Sequence, residues 1–222
     1  MKSVAIDGPA GAGKSTLARA AAGELGYVYV DTGAIYRCVG LCALRRGADP
    51  ADAAAVTALL PEITIDLCHD ASGLQRMTLC GEDVTDRIRT PEVSSAASAV
   101  SAIPEVRAFL LDMQRELARQ HDVIMDGRDI GTVVLPDADV KVFLTASPEA
   151  RARRRWLELR EKGVDTSLEE VLSDMIVRDR NDSTRAAAPL RRADDAVLLD
   201  TSDLTLEESI RRLIEIIHEK TR

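Results

Sequence analysis

An α/β fold built on a doubly wound, five-stranded parallel sheet flanked by helices is predicted by three features of the chain. Short apolar runs recur, helical periodicity follows most of them, and an aspartate stands just past four of them. The runs are Val4 to Ile6, Val28 to Val30, Val123 to Met125, Val140 to Leu144 and Val197 to Leu199. They are predominantly apolar, as strands covered on both faces of a parallel sheet are. The acids are Asp7, Asp31, Asp126 and Asp200. Ligands of such sheets gather beyond the carboxyl ends of the strands, so the pattern brings carboxylates toward the ligand edge.

The first run leads directly into Gly8, Pro9, Ala10, Gly11, Ala12, Gly13, Lys14, Ser15 and Thr16, which fits G-x-x-x-x-G-K-[ST]. Glycines let backbone N–H groups turn inward around phosphates, and a helix beginning near Lys14 points its positive end at them. Lys14 then reaches the terminal phosphates and Ser15 the magnesium ion. A glycine-rich turn that binds nothing would not need a Lys-Ser pair there. Strand, loop and the Ala- and Leu-rich helix from Thr16 to Leu25 together read as a P-loop for a nucleoside triphosphate.

Roughly ninety residues separate the second run from Val123, far more than a βα connection needs, so an inserted subdomain is predicted. Ile63 to Leu67 and Gln75 to Leu79 alternate in polarity around Asp70-Ala71-Ser72-Gly73, the pattern of an antiparallel hairpin, and Gly81-Glu82-Asp83-Val84 adds a third short strand. Helices over Pro91 to Val100 and Glu105 to Gln120 lead back to the sheet; the first is rich in Ala and Ser, which suits close packing or an approached ligand. From Ser147 the chain turns basic, with Arg151, Arg153, Arg154, Arg155, Arg160 and Lys162 before Gly163. Helical spacing puts Arg151, Arg154 and Arg155 on one face. Taken alone, this is a solvated helix paired with Glu149, Glu158 and Glu161; in a phosphate-binding chain it can also be a lid. In the next basic stretch Arg178 and Arg185 lie seven apart, two turns along one face if helical.

The chain has 222 residues, 45% hydrophobic content and a formal charge of −8. A sizeable core is expected, while a non-specific nucleic-acid or membrane role would need a local basic patch. Free nucleotides are the better partners, and with a strand entered at once and no run near the ~20 apolar residues of a membrane helix, the cytoplasm is the expected compartment. Cys38, Cys42, Cys68 and Cys80 contain no C-x-x-C pair and read as buried reduced thiols. His69, His121 and His218 read as solvated surface residues.

A P-loop alone does not separate kinases from switches. Joining a phosphoryl group to another phosphate brings polyanions together, which calls for several guanidinium groups, magnesium and exclusion of water. Arg37, Arg107, Arg128, Arg178 and Arg185 supply such groups near strand ends or site-facing helices. Over nearly its whole length the chain resembles the bacterial cytidylate kinases, nucleoside monophosphate kinases of the P-loop class. The matching motifs are Gly8 to Thr16, Asp31-Thr32-Gly33-Ala34-Ile35-Tyr36-Arg37, Gly81 to Val84, Asp126-Gly127-Arg128-Asp129-Ile130-Gly131-Thr132-Val133-Val134, and Arg178 through Pro189-Leu190.

The resemblance implies transfer of phosphate from ATP, with Mg2+, to CMP and dCMP, giving ADP with CDP or dCDP for pyrimidine nucleotide metabolism. It implies one P-loop kinase domain with a core of 1–31, 101–146 and 164–222, a monophosphate-binding insert of about 32–100 and a lid of about 147–163. A monomer with no nucleic-acid or membrane partner is expected. Carried over by motif, Lys14, Arg128, Arg178 and Arg185 are catalytic, and Arg154 joins the P-loop residues at ATP. Arg37 and Arg128 hold the acceptor's phosphate beside Thr32, where many relatives have Ser. Ser98, Arg107 and Asp129 read cytosine, and Arg178, Asp182 and Arg185 meet ribose and the phosphates. Without the resemblance, Asp129 reads as an arginine's ion-pair partner and Ser98 as helix packing. A related adenylate or shikimate kinase should lack the insert and the Asp126 to Val134 motif, and a nucleotide-dependent switch would not need so many arginines.

Overall fold

The computed structural model describes residues 1–71, 73–161 and 163–221. Ser72 of the expected hairpin turn and Lys162 of the basic segment lie outside the described residues. In chain order the elements are β1 Ser3–Asp7, α1 Lys14–Leu25, β2 Val28–Asp31, α2 Thr32–Arg45, α3 Ala53–Leu59, β3 Ile65–His69, β4 Gln75–Leu79 and β5 Glu82–Asp83. They continue with α4 Pro91–Val100, α5 Pro104–Gln120, β6 Val123–Gly127, β7 Val140–Thr145, α6 Pro148–Glu161, α7 Leu168–Thr184, β8 Val197–Asp200 and α8 Leu206–Lys220. A π-helical turn, Ile130–Val134, follows β6. The chain divides into two compact units, Met1–Val28 with His121–Arg222, and Tyr29–Gln120.

The parallel sheet has the strand order β2-β6-β1-β7-β8, and β1, β6, β7 and β8 lie in the first unit. Each strand grows from one of the five predicted apolar runs. β1 is central: Val4 sits opposite Ile124 of β6 and Val140 of β7. Val4, Ile6, Val123, Ile124 and Met125 are at most 1% exposed, which accounts for the unbroken apolar runs of β1 and β6. Burial in β7 alternates around Lys141, and β8 leaves Leu198 half exposed, so two-faced burial does not hold for these strands. α8 buries Leu213, Ile214, Ile216 and Ile217 on one stripe and packs on α1. The hairpin of α6 and α7 has its own small core, Ala152, Val171 and Met175 with Trp156, Leu159 and Leu172. A capping box of Ser167 and Glu170 starts α7.

The second unit is organised around α2. Its Asp31 N-cap accepts from Ala34 N at 3.0 Å. α4 packs so closely on α2 that a Cβ at Gly40 would lie 2.9 Å from the backbone nitrogen of Ala97. The small residues of α4 therefore serve close packing. The hairpin pairs Ile65 with Leu79 and His69 with Gln75, and β5 extends it through Thr78 and Asp83. Alternation sends Ile65, Met77 and Leu79 into the core with Cys38, Val39 and Leu110. Because α5 packs on α2 and α3, this unit is longer than the expected insert of about 32–100.

Two expectations fail here. Cys38 and Cys42 are buried, but Cys68 and Cys80 are exposed. Cys68 shares the outward parity of Asp66 in β3, and Cys80 occupies the turn after β4 with φ of 49°. His69 is half-buried, with Nε2 2.8 Å from the carbonyl oxygen of Tyr29, whereas His121 and His218 are exposed as expected. Among the described residues no helix is long and apolar enough to cross a membrane.

Candidate active site

The phosphate loop begins where β1 runs out. A Cβ on Gly8 would meet the carbonyl oxygen of Leu144 at 1.9 Å, so the chain can leave the sheet here only as glycine. Gly13 caps α1 in the left-handed region at φ 88°. Lys14 is 6% exposed, and its Nζ donates to the carbonyls of Gly8 at 2.8 Å and Pro9 at 2.7 Å. Burial, with the charges of Arg128 and Arg178, holds its pKa well below the usual lysine range, against the opposing pull of Asp126 and Asp7. Ser15 Oγ donates to Asp126 Oδ2 at 2.9 Å. Asp126 is buried near the end of β6, so a hydroxyl and a carboxylate stand together as hard oxygen donors of the kind that Mg2+ accepts alongside phosphates and water.

The same strand end continues into Arg128 and Asp129. Arg128 Nε donates to Asp182 Oδ2 at 2.8 Å and its NH1 to the Gly127 carbonyl at 3.2 Å. Arg185 NH2 stands 3.5 Å from Asp129 Oδ1, the two side chains each 6% exposed. Asp182 is buried on α7; desolvation raises its pKa, but the guanidinium groups of Arg128, Arg178 and Arg185 outweigh it and leave the carboxyl below its ordinary range. Arg178 precedes Asp182 by one turn of α7. Arg185 lies just beyond the helix with ψ of 142°, so it does not continue the helical face expected for it with Arg178. It is aimed instead by its Nε bond to the Ala188 carbonyl at 2.8 Å.

The basic helix α6 divides its arginines. Arg151 is 4% exposed; it donates to the carbonyls of Ala146 at 3.0 Å and Ala10 at 2.9 Å, and pairs with Asp179 Oδ2 at 2.7 Å. It is a structural tie to the phosphate loop, which the expected common face with Arg155 did not anticipate. Arg155 pairs with Glu158 at 3.0 Å on the outside. Arg154 donates to the Thr201 hydroxyl and carbonyl oxygens.

In the second unit Asp31 Oδ2 lies 2.7 Å from Arg89 NH1 and 3.6 Å from Arg37 NH1. Burial raises its pKa, yet Arg37 and Arg89 overcome this and leave it below the usual carboxylate range. Gln75 fixes the backbone here, accepting from Asp31 N at 2.7 Å and donating to its carbonyl at 3.2 Å. Thr32 is 2% exposed on the first turn of α2. Arg107 stacks over Tyr36 at 5.6 Å and donates to the Ser101 carbonyl at 3.2 Å. Ser101 Oγ in turn donates to the Ser98 carbonyl at 2.8 Å, which links Ser98 and Arg107 through one turn. Thus Lys14, Ser15, Arg128, Asp129, Arg178, Asp182 and Arg185 belong to the first unit, and Thr32, Arg37, Ser98 and Arg107 to the second. Sequence reasoning missed Arg89 and the tie made by Arg151. The only signal for Arg89 was its place after the hairpin, among residues with no motif of their own.

Residues 4–219 match the family model described as Cytidylate kinase. The chain is 50% identical over 215 residues to the cytidylate kinase of Caldicellulosiruptor bescii, covering 97% of this chain and 95% of that protein. It is 51% identical over 219 residues to the cytidylate kinase of Geobacter sulfurreducens, covering 99% and 94%. Among solved structures, an uncharacterized protein from Eubacterium ventriosum aligns over 98% of each chain with a TM-score of 0.52 at 13% identity, a likeness of fold alone. With a family match across nearly its full length and half its residues identical to those relatives, this chain belongs to the cytidylate kinase family.

Proposed function

We propose that the protein transfers the terminal phosphoryl group of ATP to CMP and dCMP, giving ADP with CDP or dCDP, as a cytoplasmic monomer without a nucleic-acid or membrane partner. The observation that carries this reading is the P-loop lysine, Lys14, buried beside the Ser15–Asp126 pair, in a unit that also gathers Arg128, Arg178 and Arg185 around Asp182. Four cations and a hydroxyl–carboxylate pair suit two phosphate chains better than a phosphate and a water.

In this reading Gly8 to Thr16 wrap the ATP phosphates, and Lys14 exchanges its carbonyl partners for the β- and γ-phosphate oxygens. Ser15 holds Mg2+, and Asp126, which already accepts the Ser15 hydroxyl, orients the ion's waters. Asp31 is committed to the α2 cap and to two arginines, which favours Asp126 for that role. Magnesium neutralises phosphate charge and fixes the geometry of the leaving group. Arg37 and Arg128, with Thr32, take the acceptor's phosphate; paired N–H donors hold it in line for attack. Arg178 and Arg185 stabilise charge that spreads onto the transferring phosphoryl oxygens, and Asp182 both orients these guanidinium groups and meets the ribose. Ser98, Arg107 and Asp129 read the base.

We assign the segment of about 147–163 to the lid, with Arg154 reaching ATP after leaving Thr201. Hydrogen exchange there should slow when a bisubstrate analogue is added; equal exchange with and without it would return these arginines to a solvated helix. A coupled assay of ATP-Mg with CMP, dCMP, UMP and AMP tests the reading as a whole. Turnover that requires CMP or dCMP supports it, turnover with another acceptor assigns a different kinase, and slow hydrolysis indifferent to every monophosphate assigns a switch.

A further inference from the structure

Asp7 is the last residue of β1 and the residue just before the phosphate loop. It is 5% exposed. Each of its carboxylate oxygens accepts one backbone N–H: Oδ1 from Ile130 at 2.7 Å and Oδ2 from Gly131 at 2.7 Å. These are the first two N–H groups of the π-helical turn Ile130–Val134, the leading donors that the turn's own hydrogen bonds leave over. In an ordinary helix the second of them, Gly131 N–H, is met by the side chain of the residue just before the helix, here Asp129. Asp129 has its carboxylate toward Arg185 at 3.5 Å. A carboxylate from the neighbouring strand therefore does the capping that Asp129 would otherwise do.

We propose that Asp7 is a positioning residue for the acceptor side of the reaction: by capping the Ile130–Val134 turn from β1, it leaves the Asp129 carboxylate directed outward from that turn and fixes the backbone that carries Arg128. Three further observations fit. β1 and β6 are registered residue for residue up to Asp7 and Gly127, so the cap sits where the paired strands end and Arg128 begins. The turn is in contact with the cap: a Cβ on Gly131 would lie 3.4 Å from Asp7 Oδ2, an ordinary van der Waals distance. Finally, burial raises the Asp7 pKa to about 6 even though both N–H bonds and Lys14 lower it, so an unfavourable carboxylate is retained where an apolar residue would pack without that cost.

This inference rests on the proposed roles of Arg128 and Asp129, and its test separates the two. Asp7→Asn keeps one oxygen acceptor and presents an N–H2 group to the second N–H; Asp7→Ala keeps neither acceptor. For each purified variant the melting temperature, the Kd of ATP-Mg, the Kd of CMP and the steady-state kcat are measured. The expected result is a graded loss, Asn before Ala, in which CMP affinity and kcat each fall tenfold or more while ATP-Mg affinity changes less than about threefold. Equal loss toward both nucleotides, or Asp7→Asn and Asp7→Ala variants with wild-type CMP affinity and kcat, would overturn the proposal. Wild-type protein that fails to use CMP would instead overturn the proposed function on which it rests.

Discussion

Replacing Arg128 with Lys keeps its charge and removes its fork. In the structure the Arg128 Nε–H bonds to Asp182 at 2.8 Å, while another of its nitrogens reaches the Gly127 carbonyl at 3.2 Å. A lysine ammonium cannot hold Asp182 along one edge and grip a phosphate along another. One hydrogen bond to a charged group contributes about 1.5–3 kcal/mol. Asp182 is still compensated by Arg178 and Arg185, so the loss should stay below the ~3–5 kcal/mol of a fully stripped buried pair. About 2 kcal/mol corresponds to a fall of roughly 4–8 °C in Tm for a chain of this length. Losing an aligned donor to the reacting phosphates should lower kcat by about 10²-fold. Steady-state kinetics with ATP-Mg and CMP, paired with urea denaturation, read both effects. Asp182→Asn should reproduce the stability loss, and the double variant should reveal a coupling of about 1–2 kcal/mol. Wild-type kcat and KM in Arg128→Lys would refute the phosphate-clamp role, and additive stability losses would refute the ion pair as its support.

Lys14→Met should lower kcat by about 10²-fold or more and raise the KM for ATP far less, because the lost charge acts mainly on the transferring phosphoryl group; proportionate changes in both would contradict that role. Asp31→Asn should destabilise the fold at neutral pH by about 1–2 kcal/mol, since it removes the buried carboxylate that meets the partly exposed Arg37 and Arg89. The folded-state pKa of Asp31 lies below its ordinary value of 3.8, so its contribution is present above that pH and is lost as pH falls through the folded value. Urea titrations across pH 3–7 should therefore show the gap between wild type and variant closing toward acid, and a constant gap would contradict the ion pairing. Thiol labelling at pH 8 should modify Cys68 and Cys80 readily and Cys38 only on unfolding, because Cys38 is buried and pushed up to about 12; rapid native labelling of Cys38 would show that α2 opens.

The sheet was legible because burial on both faces leaves no polar residue within Val4 to Ile6 or Val123 to Met125, and the hairpin because one-sided burial forces Ile65, Met77 and Leu79 into alternation. The phosphate loop was legible because its demands are local: glycine conformations, one lysine and one hydroxyl within nine residues. What stayed hidden depends on partners distant in sequence. Asp7 could be placed at the ligand edge, but its cap on Ile130 and Gly131 spans more than 120 positions. Arg151 has the spacing of a surface arginine and is buried because Ala10 and Asp179 meet it. Arg178 and Arg185 would share a face only if the stretch were helical throughout, but the helix ends one residue before Arg185. Arg89 carries no local signature; only the buried Asp31 carboxylate shows why a second cation is needed there.

Base selectivity tests the central claim most directly. Cytosine presents an acceptor at N3 and donors on its 4-amino group, whereas uracil presents N3–H and a carbonyl oxygen. In the proposed function Arg107, which only donates, and an ionised Asp129, which only accepts, would together with Ser98 suit the cytosine edge and leave mismatched polar groups against uracil. Sites of this kind discriminate by as much as ~10⁴–10⁵. With ATP-Mg as donor, kcat/KM for CMP and dCMP should exceed that for UMP and AMP by at least about 10²-fold, and Asp129→Ala should shrink the ratio chiefly by losing CMP activity. Comparable use of UMP or AMP by the wild-type protein would contradict the cytosine reading of Ser98, Arg107 and Asp129.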